Sequence, residues 1–254
     1  HRRTLGREGS GPGEFRQPIA MFLTDDGRLA VQQAFPGQII YIDAQDGTPR
    51  GTWKLSGESG DEAGGFAFLS LTSQRGDTFA AAGAFNAFDM DNQEIRATNF
   101  LDLMDPDGSA PTRLVDRSSQ RSMAAFSIDE LAEYNPSDRG KWDLTPDGRI
   151  CLAPRYDAYQ LDLHDRQGRL VRRITREHEA RPRTEDEKDE VRNSMNINIG
   201  GMEPKISWKV QDRAECVDWV RVLDDGTIWV RDSHGNDRWP DDGRMSFGVF
   251  SPTG

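Results

Sequence analysis

Short apolar runs, broken at near-regular intervals by Asp-Gly turns, set the pattern of this chain. Pro18-Ile19-Ala20-Met21-Phe22-Leu23 is apolar throughout, which predicts a strand buried on both faces. Asp25-Asp26-Gly27 follows as a tight hairpin turn, since glycine takes positive φ at no steric cost. Residues 28–32 return as a second strand, Ala34-Phe35-Pro36-Gly37 forms a loop, residues 38–42 make a third strand ended by Asp46-Gly47, and residues 50–55 make a fourth. Four short strands joined by turn, loop and turn make one blade of a propeller.

The same order recurs. Residues 68–73 and the turn at Gly76-Asp77 open a second unit, closed at Asp105-Pro106-Asp107-Gly108. Residues 142–148, ending in Pro146-Asp147-Gly148, open a third, closed at Asp165-Arg166-Gln167-Gly168. Residues 217–222 with Asp224-Asp225-Gly226 open a fourth, and Ser251-Pro252-Thr253-Gly254 reads as its closing turn. First turn to second spans 20 residues in the first unit (27 to 47) and 20 in the third (148 to 168). The second unit needs 32 (76 to 108) and the fourth 28 (226 to 254), which places insertions in the loops joining their second and third strands. A glycine-rich loop at 6–15 also recurs, degraded, at 57–66: Gly6, Gly9, Gly13 and Phe15 fall on Gly57, Gly60, Gly64 and Phe66 at an offset of 51, as repeat architectures do. The first strands (19–23, 68–73, 142–145 and 217–222) are expected innermost, and residues 1–5 are expected as an outer strand beside 245–250. Two long connections remain. In 109–141, Ser127-Ile128-Asp129-Glu130 is a capping box that predicts a short helix through Tyr134; in 176–216, Thr184-Glu185-Asp186-Glu187 is a second, ahead of a charged surface helix over 188–195.

Composition narrows the class. The chain has 254 residues, 35% of them hydrophobic, with 25 glycines and 13 prolines, which suits many short strands better than long helices. Its 32 basic and 43 acidic residues leave a net charge of −11, so nucleic acid and anionic lipid are excluded as non-specific partners. No apolar run approaches the roughly 20 residues a membrane-spanning helix needs. The chain starts at His1 without methionine, so its start is expected to have been removed, and the missing signal says nothing of location. Cys151 and Cys216 lie outside any CxxC pair and in apolar, strand-like contexts, as buried thiols do. A disulfide between them is left open.

With the repeats in place, three motifs carry a resemblance: Gly9-Ser10-Gly11-Pro12-Gly13-Glu14-Phe15, Asp224-Asp225-Gly226-Thr227-Ile228-Trp229-Val230 and Gly248-Val249-Phe250-Ser251-Pro252-Thr253-Gly254. They resemble bacterial six-bladed β-propellers of the NHL/TolB-like group. The resemblance implies an all-β fold: a single β-propeller domain over 1–254, built of four-stranded antiparallel blades, with short helices in the inter-blade connections. Four units are clear, so the domain is expected to be incomplete at the C-terminus and at the N-terminus. Proteins of this group are often exported, which implies a periplasmic or extracellular home.

In such a blade the first and third turns lie on one face of the disc, and the second loops and inter-blade connections lie on the other. Here the short turns are of the Asp-Gly type and every long element falls in the second class: the glycine loops, both connections, and the loops at 83–93 and 231–245. Long loops on one face of a rigid scaffold are where binding resides. The candidate contact residues on that face are Arg7, Glu8, Arg155, Tyr156, Asp157, Asp232, His234, Asn236, Arg238 and Trp239. Asp232, His234 and Asn236 have cation-ligand chemistry, but the loop matches no EF-hand spacing and an Asx-rich turn is the preferred reading. Arg155-Tyr156-Asp157 suits a sugar, peptide or protein partner, and suits rim packing too. The glycine loop precedes a strand and no Lys-Ser/Thr follows it, so it reads as packing rather than a phosphate cradle. His1, His164, His178 and His234 form no i, i+4 pair, and no GxSxG elbow is present. The expectation is therefore a non-catalytic binding propeller without a cofactor. It would be a monomer that takes a protein, peptide, glycan or small-molecule ligand, does not bind nucleic acid and does not span a membrane. The alternative is a metal-assisted hydrolase or lyase of lactonase type, with a divalent cation in the central channel.

Overall fold

A strand places alternate side chains on opposite faces of its sheet, and here both faces are apolar through the middle of the molecule. The computed structural model describes residues 4–55, 65–194, 205–235 and 245–252. The first sheet is β1 (Pro18–Leu23), β2 (Arg28–Gln33), β3 (Gln38–Asp43) and β4 (Pro49–Lys54), paired antiparallel in chain order. The second is β5 (Phe66–Arg75), β6 (Thr78–Asp89), β7 (Glu94–Met104) and β8 (Thr112–Ser122). After β9 (Ala125–Asp129) comes the third sheet, β10 (Trp142–Leu144), β11 (Ile150–Leu152), β12 (Gln160–His164) and β13 (Leu170–Thr175). Helix α1 (Glu185–Asn193) and β14 (Lys205–Lys209), which pairs parallel with β9, lead to a three-stranded sheet of β15 (Val217–Val222), β16 (Ile228–Asp232) and β17 (Gly248–Phe250).

Alternation dictates how these sheets stack. In the second sheet Phe79, Ala81, Phe100 and Met104 pack with Ala30, Ile39 and Tyr41 of the first, while Ala80, Ala82, Leu101 and Leu103 pack with Leu144, Ile150 and Leu152 of the third. The third sheet turns Cys151, Leu161 and Leu163 the other way, against Val220, Val222, Ile228 and Val230 of the fourth. Four antiparallel sheets stacked face to face in chain order make a β-propeller-like, all-β fold. The two thiols are free and buried, and both sit in the core between the third and fourth sheets.

The first turns of all four sheets lie at one end of the stack. Gly27, Gly148 and Gly226 have φ of +83°, +79° and +83°, where glycine is favoured. The Gly76 amide donates to Asp25 Oδ2 at 2.9 Å, tying the second sheet to the first. Arg75 donates to the Val222 and Leu223 carbonyls at 2.9 and 3.3 Å, tying the second to the fourth. Thr78 Oγ1 donates to the Gly148 carbonyl at 2.9 Å, tying the second to the third. The first glycine loop folds on itself beside this stack. Phe15 N donates to the Arg7 carbonyl at 3.2 Å, and a Cβ on Gly6 (φ +74°) would lie 2.5 Å from the Phe15 ring. Glycine and phenylalanine meet in this first copy for packing; the second copy falls largely on 56–64, outside the described residues.

Several expectations need correction. β1 is not buried on both faces: Ile19, Met21 and Leu23 are 44%, 67% and 64% exposed, because β1 is an edge strand and only its Phe22 side meets the second sheet. Residues 127–129 belong to strand β9 rather than a helix, since Phe126 and Ile128 alternate into the core. Among the described residues one helix occurs, α1, so the expected short helices of the connections reduce to that one. The supposed loop at 83–93 is the extension of β6 and β7 into a long hairpin, and 109–141 contains β8 and β9. Residues 4 and 5 form no strand beside β17; a Cβ on Gly47 would lie 3.4 Å from Leu5, which places Leu5 on the last turn of the first sheet.

Phe100 is fully buried between the first two sheets. Phe100→Ala is expected to cost about 3–5 kcal/mol, and Met21→Ser, on the open side of β1, to stay within about 0.5 kcal/mol. Urea unfolding compares the two; equal losses would contradict the open face of β1.

Candidate binding site

Opposite the Asp-Gly turns, the connection from β13 to β15 wraps over the third and fourth sheets. Backbone bonds hold it in place: Cys216 N to Tyr156 O at 2.8 Å, Ala214 N to Arg181 O at 2.9 Å, and Arg183 N to Asp212 O at 2.9 Å. Tyr156 is buried, with its hydroxyl donating to Arg213 O at 2.7 Å and its ring edge-on to Tyr134. Arg183 and Gln211 N both reach Glu130 Oε2, at 2.7 and 2.8 Å, which pins the connection to the turn after β9. The α1 capping box is formed as expected. Thr184 Oγ1 accepts from Glu187 N, the Glu187 carboxylate accepts from Thr184 N, and Arg181 adds two bonds to Glu187 at 2.7 and 3.0 Å. These donors hold the Glu187 carboxyl down to about 2.

Two cavities share this connection as a wall. One, of about 360 Å³, is lined by Arg181, Arg183, Glu187, Glu215, Asp218 and Ser233. The other, of about 500 Å³, is lined by Tyr156, Asp157, His178, Glu179, Arg213 and Cys216, among others. In the first, Glu215 pairs with the buried ammonium of Lys141, which also donates to the Asp218 and Val217 carbonyls at 2.9 and 3.3 Å. Burial outweighs that partner and pushes the Glu215 carboxyl up to about 7. Beside the second cavity, His178 Nε2 lies 2.9 Å from Ser233 Oγ, which also accepts the Arg181 amide at 3.0 Å. Burial lowers the His178 pKa, so the imidazole is held neutral. Its ring meets His234 edge-on at 5.5 Å, and His234 Nε2 lies 2.9 Å from Glu179 O. Arg176 stacks 4.0 Å over Tyr159 and pairs with Asp232 at 2.6 Å.

The structure thus brings Asp232 and His234 together and joins them to His178, Arg176 and Ser233. Arg155 and Asp157 form a bidentate pair at 2.8–2.9 Å on the neighbouring loop. Arg7 and Glu8 sit apart in the N-terminal loop, Arg7 bonded to Glu14 at 2.5 Å, and no hydrogen bond or ion pair between described residues links them to the cavities. Asn236, Arg238 and Trp239 lie outside the described residues. The sequence reading missed Lys141, His178, Arg181, Glu215 and Ser233. Only the singular histidine of the connection, His178, carried a signal, and nothing local paired it with a residue 55 positions away. Among the described residues no group of three or more His, Cys, Asp or Glu side chains could hold a metal ion, and no helix is long and apolar enough to cross a membrane.

Comparison with known proteins follows from this geometry. No family model matches the chain, and no curated protein matches it. Among solved structures, similarity is found to an exported protein of Bacteroides fragilis (12% identity, 98% of this chain and 62% of that one, TM-score 0.39). It is also found to Hsv2 of Kluyveromyces lactis (12%, 94% and 62%, TM-score 0.38) and to the periplasmic gluconolactonase of Pseudomonas aeruginosa (14%, 62% and 39%, TM-score 0.32). The chain spans less than two thirds of the length of each, and at these TM-scores no function passes from them to it.

Glu215 and His178 titrate with opposite consequences. The folded pKa of Glu215 is raised from 4.5, so the native state binds the extra proton; its contribution is present below about 4.5 and lost as pH rises through about 7. The folded pKa of His178 is lowered from 6.5, so its contribution is present above 6.5 and lost on acidification. Urea midpoints of wild type and Glu215→Gln between pH 4.5 and 8 should therefore diverge, wild type losing stability relative to the variant as pH rises. Parallel profiles would refute the raised carboxyl.

Proposed function

We propose that this chain is a non-catalytic binding module whose ligand is taken on the long-loop side, in the pair of cavities walled by the connection from β13 to β15. The observation that supports this reading most is that pair of adjacent concavities, which holds a desolvated carboxyl and a neutral imidazole on a scaffold pinned at its opposite end. The occupant is read as a small polar molecule, glycan or peptide. Asp157, Asp232 and His234 supply polar contacts at the rim, while Arg155 and Tyr156 set the loop; Asn236, Arg238 and Trp239 are assigned to the wider face, and Arg7 and Glu8, in the loop that reaches the Asp46-Gly47 turn, are not. The finer assignments rest on the resemblance of the sequence motifs: a six-bladed propeller of the NHL/TolB-like group, in a periplasmic or extracellular setting. No specific observation favours metal-assisted lactone hydrolysis.

Saturation-transfer NMR against a panel of neutral sugars, uronic acids and tripeptides tests the site. Binders are expected whose affinity falls about tenfold in His234→Ala or Asp157→Ala and holds in Arg7→Ala. Binders indifferent to the first two variants would remove the assignment.

A further inference from the structure

The second sheet departs from its neighbours in one respect. β6 and β7 run for 12 and 11 residues, against six each for β2 and β3 and three and five for β11 and β12. The surplus forms a hairpin with its turn at 90–93. One face of it carries aromatics: Phe88 lies 5.8 Å from Phe66, which lies 6.0 Å from Phe35 and 6.3 Å from Phe68. Phe35 is 66% exposed, and Met90 at the tip is 69% exposed. The opposite face and the turn form a notch of about 510 Å³ lined by Asp89, Met90, Asp91, Glu94 and Gln120, with Arg96 also in its wall, and Phe88 borders it from the aromatic side.

The acids of this tip are uncompensated. Asp89 accepts from Asn92 N and Nδ2 at 3.0 and 2.8 Å, and Glu94 accepts from Gln120. Among the described residues no ion pair engages Asp89, Asp91 or Glu94, whereas Asp102 of the same sheet pairs with Arg113. Exposed aromatic and methionine side chains gathered at one hairpin mark an interaction surface. Covering it would also desolvate the neighbouring carboxylates, which costs stability unless a cation arrives with the apolar group. A second copy of this chain would bring like charge to the tip, and anionic lipid would repel it.

From the joint aromatic and acidic character of this hairpin we propose that it is a second docking surface, independent of the cavities above, for a basic segment of another protein with apolar anchor side chains. The anchor lies on Phe35, Phe88 and Met90, and the lysine or arginine neutralises Asp89, Asp91 and Glu94. The probe is a fluorescein-labelled peptide of alternating lysine and leucine, with an alternating glutamate and leucine peptide as control, read by fluorescence anisotropy against the full chain. The basic peptide should bind, weaken with added salt, and lose about tenfold in affinity in Met90→Ala and in Asp91→Lys. Both positions are in an exposed turn, and unchanged melting temperatures confirm that the variants fold. The proposal is overturned if the acidic peptide binds as well, or if the variants bind as wild type does. It is equally overturned if the tip instead carries the protein onto zwitterionic vesicles or into a dimer, in a manner abolished by Met90→Ala.

Discussion

The carboxylate of Asp143 joins the third sheet to the fourth, and the long-loop side depends on that join. Its side chain is 8% exposed; Oδ1 accepts from Leu144 N at 2.9 Å, Oδ2 accepts from Val222 N at 2.8 Å, and Arg221 Nε stands 3.4 Å away. Burial raises its pKa while the two amides and the guanidinium work against the rise. A buried carboxylate without such donors would be untenable; with them it sets β15 against β10 at one height. Arg75 repeats the device between the second and fourth sheets, through the consecutive Val222 and Leu223 carbonyls that lead into the fourth sheet's first turn. Because the sheets are locked at the Asp-Gly end, the loops at the other end keep their relative positions. The cavities between 156–157, 178–194, 211–218 and Ser233 therefore owe their shape in part to contacts at the far end of the stack.

The turns were legible because their causes are local. Glycine at positive φ after aspartate declares itself within four residues, and the first turns at Gly27, Gly148 and Gly226 have the expected conformation. Another repeat stood in the sequence unread. Leu101-Asp102-Leu103 and Leu161-Asp162-Leu163 each precede, by the same interval of 11 from the aspartate, an arginine that bonds it: Arg113 and Arg173. In the first sheet the pairing that corresponds is Ile40 with Thr52, both uncharged, and the N-terminal loop lies on the rim of that sheet, where a Cβ on Gly13 would meet Ile42. The two capping boxes show where local reading fails. Both 127–130 and 184–187 present the same signature, yet only the second starts a helix. Phe126 and Ile128 gain more by alternating into the core beside β14, a partner some 80 residues away, whereas α1 buries no side chain and follows its local preference.

The site was legible to the same degree. Arg155 with Asp157 and Asp232 with His234 are neighbours in sequence, so their polar density was visible without the fold. Lys141 with Glu215, separated by 74 positions, and His178 with Ser233, separated by 55, are products of topology alone. Glu215, whose carboxyl is pushed by burial up to about 7, thus sits where the sequence offered least warning.

Charge on the long-loop side is mostly spent on position. Arg176 with Asp232, Arg181 with Glu187, Arg183 with Glu130, Lys188 with Asp212 and Arg213 with Glu179 all involve the connection that walls the cavities. The exposed ones, Lys188 with Asp212 and Arg213 with Glu179, contribute about 0–1 kcal/mol each, too little to drive the connection to fold, and with the more buried Arg183–Glu130 pair they select one placement of it. Selectivity inside the cavities then falls to the few groups removed from water, where a hydrogen bond made or lost counts for more. The net charge of −11 adds a long-range preference for cations, screened beyond about 8 Å at physiological salt. At contact distance only unpaired acids still express that preference. In the described part of the second sheet three of those acids, Asp89, Asp91 and Glu94, cluster at the tip of the long hairpin while Asp77 and Asp107 stand at the sheet's other end, so the overall charge and the local surface of the tip select the same kind of partner.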